Sequence, residues 1–302
     1  MGRAQHITRP TILEGVALWG RQLKLPLSLA IAAASVAGFI LGPRASTGAG
    51  VLFFVGILML AGGCGALNNY QDRDLDARFR RTRWRPLPSG RIKPKAALIV
   101  ALVLIGGGLS VLALVEPWVA ALGVVALCFY NVLYTPLKRK TLWALVPGVV
   151  CGMLPPSMGW VAAGGPPLAL EVWSLMILFA VWQIPHFWLL MLSHGDEYRG
   201  KAELKLTGRL TLPQIERILM VWVTSLGAII LCLPLVGLIQ TPWLQVALFA
   251  LTLALTATFL AVFLRSGLKQ RSKWLFAFLN GAVFLCLALV VTERLRLFRG
   301  VF

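Results

Sequence analysis

The chain has 302 residues, a net charge of +18 and only 13% charged residues, with a mean hydropathy of +0.80. A soluble domain carries about a quarter charged residues, so this composition excludes an ordinary water-soluble protein and indicates an integral membrane protein. The basic residues lie in short loops between apolar runs, where they set membrane topology. This role in topology explains the net positive charge, so binding to nucleic acid or to an anionic-lipid surface is not needed to explain it.

Nine apolar runs have about the length that crosses a bilayer. They cover residues 25–42, 49–69, 96–115, 117–134, 142–161, 172–193, 213–237, 242–264 and 274–292. Because the runs are continuous rather than alternating, only helices can satisfy the backbone in lipid. The sequence therefore predicts an all-α integral membrane protein, a bundle of about nine transmembrane helices that forms one domain over residues 1–302.

The placement of charge orients this bundle. With residues 1–24 as a cytoplasmic tail, 25 of the 29 lysines and arginines fall on the cytoplasmic side. Such an excess is typical of cytoplasmic loops. We expect a multi-pass protein of a bacterial-type inner membrane, with its first apolar run retained as a span rather than cleaved as a signal peptide.

The densest charge cluster follows directly on the second run and begins with the sequence NNYQDRDLD. Asn68, Asp72 and Asp76 recur every four residues and therefore share one face of a helix, whereas Asp74 lies off that face. Two carboxylates and an amide oxygen suit Mg²⁺, which completes its shell with water and phosphate oxygens. The alternative is a solvated loop whose aspartates offset excess positive charge.

Further polar groups are expected on the same side of the membrane. Arg81 and Arg85, just downstream, are suited to bind phosphate in planar fashion, and the loop after the fourth run carries Tyr134 and Lys138. The loop after the sixth run adds a third set of polar residues: Asp196, Glu197, Tyr198 and Arg199. With a cytoplasmic N-terminus, each even-numbered run ends on the cytoplasmic side, so all three loops lie on that side. The presence of these polar groups on one side favours a metal-diphosphate site over a solvated face.

Polar residues inside the apolar runs also indicate function, because they are costly in lipid. The sixth run contains Gln183 and His186 about one helical turn apart, with Trp182 beside them. A histidine hydrogen-bonded within the bundle is the alternative interpretation. The fifth run is rich in proline and glycine between residues 147 and 159, which predicts a broken or kinked helix beside a cavity, or close helix packing.

Several of these motifs together resemble a known family. The NxxxDxxxD pattern at residues 68–76, the following RPLPSGRI and the YxxxK at residues 134–138 resemble the UbiA superfamily of intramembrane prenyltransferases. The segments PPSMGW and WQIPHFW are similar to its heme O synthase branch, which farnesylates heme. The resemblance is clear from about residue 60 to 200, and elsewhere it rests on the number of spans.

This resemblance implies a helical bundle around a lipid-accessible cavity that is capped on the cytoplasmic side. It implies transfer of a farnesyl group from farnesyl diphosphate to a vinyl group of heme b, with Mg²⁺ as cofactor and no catalytic nucleophile. The implied metal ligands are Asn68, Asp72, Asp76, Asp196 and Glu197, with Tyr134 and Lys138 on the diphosphate. The implied substrate contacts are Lys24, Arg81, Arg85, Trp182, Gln183, His186, Tyr198 and Arg199.

One segment departs from the family pattern. After PHFW the family leads us to expect EDYxxAGxPMLP, whereas this chain reads DEYRGKAELKL. A UbiA-type enzyme with another acceptor, such as a quinone precursor or a chlorophyllide-like tetrapyrrole, is therefore an alternative. A non-catalytic heme-binding membrane protein or a transporter is another. The expected partners are the lipid bilayer and, downstream, a heme A synthase or an oxidase assembly.

Overall fold

The computed structural model of the protein describes residues 11–193, 210–265 and 267–299, and this part of the chain is helical without strands. The helices are α1 (Ile12–Gln22), α2 (Leu25–Leu41), α3 (Thr47–Asp76), α4 (Pro94–Val115), α5 (Pro117–Leu127), α6 (Thr135–Leu137), α7 (Leu145–Ala162), α8 (Leu170–Ser193), α9 (Leu212–Cys232), α10 (Pro242–Leu264) and α11 (Ser272–Arg299). A π-helix, Cys128–Tyr134, joins α5 to α6, and 3₁₀ turns cover Leu142–Ala144 and Leu233–Val236.

The predicted all-α membrane fold is confirmed. Among the described residues, eight helical segments are long and apolar enough to cross a membrane, and a ninth results if α1 and α2, bent by 60°, count as one span. The segment Pro117–Leu137, which runs through α5, the π-helix and α6, counts as one of the eight. About nine spans therefore describe the bundle, as the apolar runs predict.

The helix α1 lies within the stretch that the sequence treats only as a cytoplasmic tail. It begins with a capping box, in which Thr11 N donates to Glu14 Oε2 at 2.8 Å and Glu14 N donates to Thr11 Oγ1 at 3.3 Å. These two bonds satisfy amide groups that have no partner within the helix. At the other end, Lys24 has a φ of 50°, a left-handed conformation that turns the chain sharply into α2.

Neighbouring helices form the walls of the bundle. The helix α2 packs between α3 and α7, α4 covers α3, and α5 contacts α4 and α7. In the other half α8 contacts α7, α9 and α11, while α11 returns to α2. The α3–α4 contact is close because a Cβ on Gly63 would lie 2.9 Å from Ala101 O, and one on Gly108 would lie 2.7 Å from Leu60 N. Small residues allow such backbone approach between membrane helices.

The fifth apolar run, predicted to be a broken or kinked helix beside a cavity or a closely packed one, forms the 3₁₀ turn Leu142–Ala144 and then α7 without a break. Gly148, Gly152 and Pro155 of α7 line a cavity, as expected. Pro155 and Pro156 lie inside this helix and leave two carbonyls of the preceding turn without helical partners. The close-packing expectation is correct, because a Cβ on Gly159 would collide with the backbone of α2 at Ser35 and one on Gly38 would collide with Pro156.

Candidate active site

The C-terminal turns of α3 carry the predicted polar face. Asn68, Asp72 and Asp76 are 1%, 3% and 6% exposed, whereas the side chain of Asp74 is 79% exposed. The helix continues to Asp76, well past the apolar run that ends at residue 69. The four-residue spacing therefore places these three side chains on the buried face, and Asp74 lies off it, as expected.

Asp72 is held between two cations from the segment after α6. Lys138 Nζ contacts Asp72 Oδ2, and Arg139 Nη2 donates to Asp72 Oδ1 at 2.7 Å. The same Arg139 atom lies 2.6 Å from the carbonyl oxygen of Gln71. A buried carboxylate requires such charged, hydrogen-bonding partners. These contacts bring together two predicted residues that are 66 positions apart in sequence.

Asp76 has its own cation from the turn that follows α3. Arg85 Nη1 donates to Asp76 Oδ2 at 2.6 Å, and Thr82 Oγ1 donates to the carbonyl oxygen of Asp76 at 2.9 Å. The second bond fixes the turn that carries Arg85 back to the helix end. Arg81, predicted as a further phosphate contact, is an exposed residue of this turn.

Asn68 is contacted from the junction of α1 and α2. Lys24 Nζ donates to Asn68 Oδ1, and it lies 3.3 Å from Tyr130 Oη. The junction itself is tied to α3, because Asn69 Nδ2 donates to the carbonyl oxygen of Gln22 at 2.9 Å. Lys24, predicted as a substrate contact, therefore reaches the same polar face as the two aspartates.

The π-helix and the first residue of α6 supply partners that the sequence analysis did not identify. Asn68 Nδ2 donates to Thr135 Oγ1 at 2.8 Å, and Thr135 Oγ1 donates to the carbonyl oxygen of Tyr130 at 2.8 Å. The rings of Tyr130 and Tyr134 stack with centroids 5.9 Å apart, and Lys138 Nζ lies 5.5 Å from the Tyr134 ring centre. π-Helical turns are frequent at functional sites, and this one aligns Tyr134 and Lys138 with α3.

Asn131, on the same π-helix, connects it to α3. Its Nδ2 donates to the carbonyl oxygen of Cys64 at 3.1 Å and to Gln71 Oε1 at 3.2 Å. In return, Gln71 Nε2 donates to the carbonyl oxygen of Asn131 at 3.0 Å. Asn131 is 2% exposed. A buried amide in the apolar run before YTPLK was the signal that could have identified it, because polar residues are costly inside spans.

Below this polar group lies a cavity of about 380 Å³. Lys24, Asn68, Tyr130, Tyr134 and Lys138 line its polar end. The rest is lined mainly by apolar side chains of α2, α3, α7 and α8, together with Ser28, Ser35, Gln183 and His186. Ligand pockets have this size and this combination of apolar walls with a few polar groups. The arrangement suits a molecule with an anionic head and an apolar body.

Two predicted residues of α8 reach the cavity wall. Gln183 pairs with one turn of α7 when its amide is oriented to satisfy both atoms, donating to the Gly148 carbonyl oxygen at 3.0 Å and accepting from Gly152 N at 3.3 Å. His186 also lines the cavity, and its Nδ1 lies 2.9 Å from Asn280 Oδ1 of α11. Trp182 lies beside this histidine with ring centres 5.0 Å apart, and Asn280 was not identified from the sequence.

The predicted acidic loop after α8 lies outside the described residues. This applies to four of the predicted site residues: Asp196, Glu197, Tyr198 and Arg199. In the part of the chain that the structure describes, no three His, Cys, Asp or Glu side chains group closely enough to hold a metal ion. Asn68, Asp72 and Asp76 offer oxygen ligands, which fit Mg²⁺ when water and a diphosphate complete its shell.

The fold and the site define a class: an integral membrane protein whose helices surround a largely apolar cavity, with Lys24 and Lys138 at its polar end and the buried Asp72 bonded to Lys138. The UbiA prenyltransferase family matches residues 25–290. A protoheme IX farnesyltransferase of Geobacter sulfurreducens is 42% identical over 225 residues, which is 72% of this chain and 82% of that protein. One from Nitratidesulfovibrio vulgaris is 38% identical over 219 residues, covering 71% and 75% of the two chains.

Solved structures share the architecture. A structure described for digeranylgeranylglyceryl phosphate synthase has a TM-score of 0.72 at 14% identity and covers 94% of this chain and 99% of its own. A UbiA homolog from Archaeoglobus fulgidus bound to GPP and Mg²⁺ has a TM-score of 0.64 at 18% identity, covering 92% and 99%. At these identities the likeness concerns the fold alone. With the family match and the two relatives, the chain belongs to the UbiA prenyltransferase family, and it is a prenyltransferase.

Proposed function

We propose that this enzyme transfers a farnesyl group from farnesyl diphosphate to a vinyl group of heme b. The observation that carries the proposal is a group of cations at the polar end of a largely apolar cavity. Lys24 and Lys138 line the cavity, and Lys138 shares the buried Asp72 with Arg139. Such cations suit a diphosphate, and the apolar walls suit a prenyl chain. Relatives at 42% and 38% identity carry the name protoheme IX farnesyltransferase, which favours heme as the acceptor.

Asn68, Asp72 and Asp76 are proposed to hold Mg²⁺, the divalent ion that their oxygen ligands fit. When bound, Mg²⁺ would neutralise negative charge on the departing diphosphate. The carboxylates of Asp72 and Asp76 are paired with Lys138, Arg139 and Arg85. We propose that Lys138 and Arg85 turn from the carboxylates to the phosphate oxygens when the substrate binds, so the same side chains neutralise either partner.

The reaction itself needs no protein nucleophile. The allylic carbon–oxygen bond of farnesyl diphosphate breaks, and pyrophosphate leaves with the bonding electrons. Lys24, Lys138 and Arg85 would stabilise the negative charge that develops on it. The apolar cavity would shield the allylic cation from water until the vinyl group attacks it. Water then adds to the new cation and releases a proton, which leaves a hydroxyl group on the product.

The proposal includes the orientation of the protein. Lys24, Lys138 and the basic turn after α3 lie at one end of the bundle, and basic loops are retained on the cytoplasmic side. The site would therefore open to the cytoplasm and take its diphosphate substrate from there. The cavity below would receive the prenyl chain within the thickness of the bilayer.

The proposal is tested with purified protein in lipid nanodiscs, supplied with farnesyl diphosphate, heme b and Mg²⁺. Mass spectrometry should detect hydroxyethylfarnesyl heme, and chelation of the metal should stop its formation. Asp72→Asn should reduce turnover by at least about 100-fold, because it removes a charged ligand at the developing charge. The matched control Asp74→Asn, two residues away on the exposed face, should retain activity.

The outcome that would contradict this assignment is equally specific. If heme gives no product but a phenolic quinone precursor does, the enzyme is a UbiA prenyltransferase with another acceptor. If Asp72→Asn forms product at the wild-type rate, the proposed metal site is wrong. Size-exclusion profiles of each variant show whether a loss of turnover reflects chemistry or misfolding.

A further inference from the structure

A histidine and an asparagine from different helices form a directed pair at the cavity wall. His186 Nδ1 of α8 lies 2.9 Å from Asn280 Oδ1 of α11. Asn280 Nδ2 donates to the carbonyl oxygen of Phe276 at 2.5 Å, which fixes the amide nitrogen as the donor and Oδ1 as an acceptor. His186 must then carry its proton on Nδ1, and a neutral imidazole in that tautomer has an unprotonated Nε2.

The ring is held so that Nε2 is available. Trp182 meets it edge-on with ring centres 5.0 Å apart, and Phe276 lies 4.6 Å away on a tilted ring. Nδ1 bonds to Asn280 of α11 and the same ring lines the cavity, so Nε2 is the ring nitrogen that remains for a ligand in the cavity. Within the described ranges, no side chain forms a hydrogen bond with His186 Nε2. Nε2 is also not one of the fully buried polar atoms that lack a hydrogen-bond partner.

An imidazole fixed in this way is an oriented metal ligand. Histidines that bind metals donate their other ring N–H to an oxygen acceptor, which sets the tautomer and increases ligand basicity. His186 has no cluster of further ligands, since no group of three His, Cys, Asp or Glu side chains is found among the described residues. A bare ion would therefore not be held, but a metal that brings its own equatorial nitrogens needs only such an axial ligand.

We propose that Asn280 is a positioning residue that presents His186 Nε2 as the axial ligand of the iron in a porphyrin acceptor. This inference rests on the proposed function, because it requires a metalloporphyrin in the cavity. The ligand would hold the macrocycle on α8, about two helical turns from the end of that helix. One vinyl group could then be directed toward the polar end, where the allylic diphosphate is proposed to bind.

The test compares ferric heme b with metal-free protoporphyrin IX in nanodiscs that contain the full-length protein. For the wild type we expect a shifted heme Soret band. His186→Ala should lose this shift and bind heme at least about 10-fold more weakly, with protoporphyrin IX affinity changed less than about twofold. Added imidazole should restore the Soret shift of His186→Ala.

Two variants of Asn280 separate positioning from packing. Asn280→Leu should weaken heme binding by about 10- to 100-fold without a matching loss for protoporphyrin IX. Asn280→Asp keeps an acceptor for His186 Nδ1, so it should retain the wild-type heme affinity within about threefold and shift the Soret band further. Equal loss of both porphyrins in Asn280→Leu would show a purely structural role and overturn the proposal.

Farnesyl transfer is measured separately on the same samples. Suppose the wild-type protein forms product but has the same heme spectrum as His186→Ala. The proposal that His186 is the axial ligand is then wrong, and the proposed function stands. A wild-type protein that shows the ligand spectrum but farnesylates no heme would overturn the proposed function instead. An unchanged Soret band in a correctly folded Asn280→Leu, together with unchanged heme affinity, would also overturn the positioning role.

Discussion

The packing of α3 against α4 predicts a difference between two adjacent glycines. Gly62 and Gly63 are both buried inside α3, five or six residues before Asn68. A Cβ at Gly63 would lie 2.9 Å from the carbonyl oxygen of Ala101 and 2.9 Å from Ile105 N, whereas a Cβ at Gly62 would meet only Leu23 Cβ at 3.8 Å. Only Gly63 therefore faces the backbone of another helix.

The magnitude follows from these distances. Ordinary contact begins near 3.4 Å, so Gly63→Ala must displace α3 from α4 by about 0.5 Å or distort both helices. Overpacking of this kind costs about 1–3 kcal/mol. The gain in helix propensity from glycine to alanine, up to about 1 kcal/mol, is shared by Gly62→Ala and cancels in the comparison.

The displacement should also reach the site, because α3 carries the whole polar face. We expect Gly63→Ala to reduce turnover about tenfold, since misplacement by 1 Å can cost about 100-fold. Gly62→Ala should match the wild type in rate and be up to about 1 kcal/mol more stable, from helix propensity alone. Thermal unfolding in nanodiscs and initial rates of prenyl transfer measure both effects. If the two variants behave alike, the close α3–α4 contact does not control the site.

Two further predictions concern charged groups at opposite ends of the bundle. Lys138→Met should reduce kcat/KM for farnesyl diphosphate by about 10- to 100-fold in a steady-state assay, because one charge-assisted hydrogen bond is lost. Lys140 is an exposed neighbour, and Lys140→Met should change kcat/KM less than about twofold in the same assay. Glu293 is 2% exposed and accepts from Gln240 N at 3.2 Å and Thr241 N at 3.3 Å, at the start of α10. Glu293→Gln should lower the free energy of unfolding by about 1–2 kcal/mol without changing turnover. Thermal unfolding measures the first effect and the transfer rate the second. Unchanged stability together with a reduced transfer rate would contradict the prediction.

The fold was predictable because lipid leaves the backbone few choices. Continuous apolar runs can only become helices in a bilayer, so the number of runs gives the number of spans. The polar face was predictable for a related reason, since a four-residue spacing has one meaning on a helix. Asp74 is exposed beside three buried neighbours, which agrees with that geometry.

The partners of these residues were not predictable, because they depend on packing between distant segments. Nothing in YTPLKRKT assigns Lys138 and Arg139 to Asp72, or Lys24 to Asn68; helix packing brings them together. Asn280 lies 94 residues from His186. A lone amide in the apolar run FAFLNGAVF was nevertheless a signal, because buried polar groups in spans need partners.

The capped α1 is a second feature that the sequence analysis missed. Its apolar residues Ile12, Leu13 and Val16 are more than half exposed, so the helix contributes little to the hydrophobic core. Its sequence is also not part of any of the nine apolar runs. Its role is visible only at its end, where the hydrogen bond from Asn69 to Gln22 and the left-handed Lys24 hold the chain against α3. Local propensity predicts such a helix, but only tertiary contacts indicate what it positions.

The π-helix between α5 and α6 makes the site depend on chain length as well as on residue type. An α-helix turns about 100° and rises about 1.5 Å per residue, and a π-turn contains one residue more than an α-turn. Deleting a single codon within Cys128–Tyr134 would change a π-turn into an α-turn, and Thr135 and Lys138 would keep nearly the same orientation toward Asn68 and Asp72. Deleting a codon between Thr135 and Lys138 meets no such extra residue and would rotate Lys138 by about 100°, away from Asp72. The π-helix should therefore tolerate a one-residue deletion better than the short helix that follows it.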